Sequence, residues 1–67
     1  MYRVEIWCDG SEDRPCYICE SSSGIMWTSV LEDHAMLYSK EQLPDVISTL
    51  LSKYDNIASI NIDLVSL

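Results

Sequence analysis

The hydrophobic period of this chain changes once in its C-terminal third, and that change limits the folds open to it. Val46, Ile47, Leu50, Leu51 and Tyr54 recur at helical spacing, while Asp45, Ser48, Ser52 and Lys53 lie outside their stripe. From Ser59 the spacing drops to two: Ile60, Ile62 and Leu64 share one face, and Asn61 and Asp63 the other. A one-sided helix running almost directly into a one-sided strand can bury both apolar faces by laying the helix on a sheet. The rest of the chain must supply the other strands.

It has the residues to do so. In YRVEIWC, residues 2 to 8, Tyr2, Val4, Ile6 and Cys8 alternate with Arg3, Glu5 and Trp7, the pattern of a half-buried strand. Turn-forming and polar residues 9 to 15 end it. CYICE (16 to 20) reads as a second strand, SSSG (21 to 24) as a turn, and IMWTSV (25 to 30) as a third strand returning against the second. LEDH reads as a loop, and AMLYS (35 to 39) as extended chain. Ser39 and Gln42 fit a capping box, with Tyr38 and Leu43 as hydrophobic staple. Pro44 belongs in a first turn, so a start at Leu43 is the alternative. The helix should reach about Tyr54, with Asn56 in a left-handed C-cap. The expectation is a single α+β domain over residues 1 to 67, in the order β-β-β-α-β. One helix covers one sheet face, and Arg3, Glu5, Trp7, Asn61 and Asp63 populate the other.

Sixty-seven residues lie near the lower limit for a self-sufficient core. No run approaches the roughly 18 apolar residues of a membrane span. Strand alternation at the N-terminus does not fit a signal peptide, so Met1 is read as a start and the protein as cytoplasmic. Eleven acidic residues against four basic give a net charge of −7. Such a surface repels nucleic-acid phosphates and suits a partner protein with a basic surface.

The segment WCDGSEDRPCYIC, residues 7 to 19, is the one place where sequence suggests chemistry. Cys8, Cys16 and Cys19 with His34 would make a zinc set, spaced C-x₇-C-x₂-C-x₁₄-H. That spacing matches no standard knuckle, and strand alternation points Cys16 and Cys19 to opposite faces. The C-x-x-C pair opens no helix, so a lowered thiol pKa is not expected. Asp9, Ser11, Asp13 and Glu20 mimic calcium-loop spacing, but Arg14 stands where the turn needs glycine. Asp33-His34 has no placed nucleophile, and a chain this short has little room for a small-molecule pocket. No catalytic residue, cofactor or enzyme activity is expected.

WTSVLEDHAMLYSKEQLPDVISTLL (27 to 51), followed by INIDLV, resembles small phage and prophage proteins of unassigned role. Those chains share a short hairpin, a tryptophan followed by a hydroxyl residue, an entry of the type A-x-L-Y-S-x-E into a helix, and a closing strand. The three cysteines and Pro44 depart from that pattern. The resemblance covers about two-thirds of the chain and implies a hairpin-plus-helix fold and a phage origin. Proteins of this kind include inhibitors of host enzymes, among them uracil-DNA glycosylase inhibitors and anti-CRISPR proteins, some of which mimic DNA. No functional residue is carried over.

The expected function is therefore contact. An acidic, phage-encoded protein would inhibit a host nucleic-acid-handling or defence enzyme through Glu5, Trp7, Asp9, Glu12 and Asp13. Two alternatives stand beside it: a zinc-stabilised domain, and a self-assembling accessory protein that forms a homodimer through the uncovered sheet face or an edge strand.

Overall fold

A computed structural model describes residues 1 to 10 and 14 to 65. Its fold is α+β, one helix on a five-stranded antiparallel sheet. The strands are β1 (Tyr2–Cys8), β2 (Cys16–Glu20), β3 (Met26–Ser29), β4 (Leu37–Tyr38) and β5 (Ile57–Leu64). A 3₁₀ turn, Glu32–His34, precedes β4, and the helix α1 spans Leu43–Lys53.

Strand β1 is central. β5 pairs with it from Tyr2↔Leu64 to Cys8↔Ile57, so β5 occupies one whole edge. β2 and β4 share the other edge end to end, β2 opposite Glu5 and Ile6, β4 opposite Tyr2 and Arg3. They meet beside Val4, where the Met36 N–H donates to the Ile18 carbonyl at 2.9 Å. β2 continues past that point in its hairpin with β3, from Tyr17↔Ser29 to Glu20↔Met26. Gly10 and Gly24, with φ of 85° and 83°, end β1 and turn the β2–β3 hairpin. The left-handed conformation they adopt carries no steric penalty for glycine.

The core lies between sheet and helix. Val4 and Ile6 of β1, Ile18 of β2 and Tyr38 of β4 pack with Val46 and Leu50 of α1. Each is fully or almost fully buried, and each large aliphatic burial contributes about 1.5–3 kcal/mol. Ile60 and Ile62 of β5 and Tyr54 complete the layer from partly buried positions.

Four expectations change. Residues 35 to 39 contain a true strand, so the order gains a short β4 before the helix. Pro44 decides the helix start in favour of Leu43. A helix capped at Ser39 would place the proline ring against the Lys40 carbonyl and leave that carbonyl without its donor. Residues 40 to 42 form a turn instead, in which the Ser39 N–H donates to Gln42 Oε1 at 2.8 Å. Half of the capping box survives in this way. At the other end, Tyr54 is the C-cap in extended conformation (φ −121°), its N–H still donating to the Leu50 carbonyl. Asn56 is not left-handed; its carbonyl accepts from the Asp9 N–H at 2.8 Å, and β5 begins at Ile57. Finally, Leu51 leaves the apolar stripe and is 56% exposed.

The Tyr38 hydroxyl is buried without a hydrogen-bond partner among the described residues. Burial, and secondarily the nearby Glu20 carboxylate, pushes the phenol pKa well above its ordinary 10.0. The folded protein then holds a proton that the unfolded chain releases. Its contribution to stability is whole below the ordinary phenol value and declines as pH rises beyond it. Burial likewise raises the Cys8 and Cys19 thiols above 9.0, so the alkaline decline starts earlier, near pH 9. Tyr38→Phe should change stability at pH 7 by no more than about 1 kcal/mol, since it deletes an unsatisfied hydroxyl, and should flatten the alkaline limb. Leu50→Ala should cost about 2–5 kcal/mol. Urea denaturation between pH 7 and 11 measures both.

Candidate partner-binding face

Alternation along β1 and β5 builds the sheet face opposite the helix from facing pairs: Arg3↔Asp63, Glu5↔Asn61 and Trp7↔Ser59. β2 adds Tyr17 and Cys19, and β3 adds Trp27 and Ser29. Glu5 and Trp7 therefore stand on the expected face, both half-buried. Asp9 is exposed just beyond β1. Glu12 and Asp13 lie outside the described residues.

This face is not left bare. The segment from Val30 to Met36, with its 3₁₀ turn, crosses the β2–β3 half. Ser29 Oγ lies 3.1 Å from His34 Nδ1 and accepts the Leu31 N–H at 3.1 Å. The Trp27 ring stands 5.8 Å from the His34 ring, centre to centre, and remains 40% exposed. Cys19 is fully buried beneath this crossing, although it points away from the helix.

Arg3 organises the other half. Its guanidinium bonds Glu32 and Asp63, the latter at 3.2 Å, and lies 5.4 Å from the centre of the Tyr17 ring. Asn61 Nδ2 donates to Glu5 Oε1 at 2.8 Å and to Asp63 Oδ1 at 3.0 Å. Two carboxylates thus bond one guanidinium, and Glu5 joins them through Asn61 rather than through Arg3. Burial opposes the charge on Arg3, but its bonds to Asp63 and Glu32 outweigh that and raise its pKa. Burial, then the charges of Glu5 and Glu32, also raise the Tyr17 phenol.

The cysteines are distributed as strand alternation requires. Cys16 sits beside Ile6 and, with Cys8, packs at the margin of the core, whereas Cys19 is on the far face. His34 is held by Ser29. The four residues of the expected zinc set are not brought together, and no group of three or more His, Cys, Asp or Glu side chains gathers among the described residues. All three thiols are free. Cys8 is raised by burial and then by Cys16 and Asp9, and Cys19 by burial, which keeps both protonated and poorly nucleophilic.

Contrary to expectation, the chain does form a sizeable concavity. An open groove of about 300 Å³ runs between α1 and the β2–β3 hairpin, lined by Glu20, Gly24, Met26, Asp45, Thr49 and Lys53 among others. The Lys53 ammonium crosses it to the Met26 carbonyl. Among the described residues no helix is long and apolar enough to cross a membrane.

Sequence reasoning missed Glu32, Tyr17 and Trp27 as members of the face. Trp27 could have been placed by counting back through the Ser21–Gly24 turn to its partner Cys19. Glu32 reaches Arg3 across 29 positions, a distance no local pattern spans.

Comparison with protein families, curated proteins and solved structures finds no match to this chain.

The Arg3 cluster gives a test of the face's construction. Arg3→Met keeps much of the apolar stem but leaves Glu32 and Asp63 without their shared cation. Stability should fall by about 1–2 kcal/mol at low ionic strength, and salt should restore part of the loss by screening the two carboxylates. Thermal melts at two salt concentrations check this; a loss indifferent to salt would mean that packing dominates.

Proposed function

We propose that this protein is an acidic binding module that docks on the basic surface of a partner protein. The reading that its sequence favours is a phage-encoded inhibitor of a host nucleic-acid-handling or defence enzyme. The observation that carries it is the state of charge on the face away from the helix. Arg3 is committed to Glu32 and Asp63, and among the described residues no basic side chain pairs with Glu5 or the exposed Asp9. Trp7 and Trp27 stand on the same face, and an indole beside acidic groups is an effective interface anchor. A groove that normally accommodates phosphates has the complementary charge.

Binding of this kind is long-range and screened by salt. A partner captured from bacterial host lysate should release progressively as salt rises, and duplex DNA should compete for it. Charge reversal by Glu5→Lys with Asp9→Lys should weaken binding about tenfold or more, mainly through slower association. Calorimetry or surface-based kinetics on the purified pair would measure this. Affinity unaffected by salt, or by the double reversal, would sink the proposal.

A further inference from the structure

The outer edge of β5 faces away from the rest of the sheet. Among the described residues no strand pairs with it, since β1 takes the inner edge along its whole length. The hydrogen bond from the Val65 N–H to the Met1 carbonyl, 2.9 Å, sets the phase of the ladder. In an antiparallel pair, hydrogen-bonded and non-hydrogen-bonded residue pairs alternate. Met1 and Val65 are opposed by the register, so Arg3↔Asp63, Glu5↔Asn61 and Trp7↔Ser59 are the bonded pairs. Ile60, Ile62 and Leu64 fall between them and turn their N–H and C=O groups outward.

Natural edge strands are commonly blunted by proline, lysine, a bulge or shortness. β5 is eight residues long, has neither proline nor lysine, and meets its one irregularity only at the far end, opposite Trp7 and Cys8. Apolar side chains flank the open edge instead. Leu64 is 69% exposed. Leu51 stands two residues before Lys53, about 200° around the helix, hence on the flank away from β3 and towards β5.

We infer that a second copy of this chain occupies this edge, with the two β5 strands antiparallel about a two-fold axis through Ile62. Three centres are available. An axis at Asp63 would set two carboxylates directly opposite each other, which is destabilising. An axis at Asn61 engages Ile60 and Ile62 but brings Leu64 against Ala58 at the irregular end. The axis at Ile62 pairs Ile62 with itself and Ile60 with Leu64, using every outward backbone group. It also sets each Asp63 opposite the other chain's Asn61, so like charges are not opposed. The two sheets then join into one, with Leu51 and Leu64 of both copies covering the seam on the helix side. Each copy carries a net charge of −7, so the copies repel at low ionic strength and salt should favour the dimer. That is opposite to the salt dependence of docking on a basic partner.

Light scattering and sedimentation over micromolar to millimolar protein, at low and high salt, should show a dimer that grows with both. Hydrogen exchange followed by NMR should show the amides of Ile60, Ile62 and Leu64 protected in the dimer and open in the diluted monomer. Leu64→Glu, at an exposed site, should raise the dissociation constant about tenfold or more. Ser22→Glu, the same charge in an exposed turn, should shift it much less. A chain that stays monomeric throughout overturns the inference. So does a dimer in which those three amides exchange as freely as in the monomer, because another surface would then carry the contact.

Discussion

Everything in this domain is referred to β1. It pairs with three other strands, β5 on one edge and β2 and β4 on the other, and its inward residues Val4 and Ile6 are the floor on which α1 rests. The same seven residues supply Arg3, Glu5 and Trp7 to the opposite face. Strand alternation therefore ties core and surface together: a shift of one residue in the β1 register would exchange them wholesale. The β1–β5 ladder resists such a shift on both sides at once, with isoleucines opposite Val4 and Ile6 on one face and Asp63 opposite Arg3 on the other.

The elements with a repeating pattern are legible in the sequence. The faces of β1 and β5, the antiparallel β2–β3 hairpin, the helix and the division of the cysteines all follow from period and turn chemistry. What escaped had no period to read. β4 is two residues long, and its identity comes from the gap that β2 leaves beside the first half of β1. Leu51 fits a helical stripe by spacing, yet a single helix on a narrow sheet cannot bury a stripe that wide. Asn56 looked like a helix terminator, but the chain needed no reversal there because Tyr54 already runs extended towards β5.

The candidate face was legible in part for a similar reason. Glu5 and Trp7 could be placed by alternation alone, whereas the partners that set their surroundings arrive from distant parts of the chain. Glu32 comes from the 3₁₀ turn, and Trp27 from the far side of the hairpin. The expectation of an uncovered face gave way to a divided one, crossed by residues 30 to 36 on one half and acidic on the other.

The ladder between β1 and β5 has one more consequence, for the order of events in folding. Its partners are separated by almost the full length of the chain, from Tyr2↔Leu64 to Cys8↔Ile57. Closing so long a loop is entropically costly, and topologies rich in distant pairings fold slowly. The β2–β3 hairpin and α1 can form from local contacts. β1 acquires its full complement of neighbours only when the last strand arrives. Until then its edge and its isoleucine-binding face are open together, so the strand that organises the finished sheet is the most adhesive segment of the unfinished one.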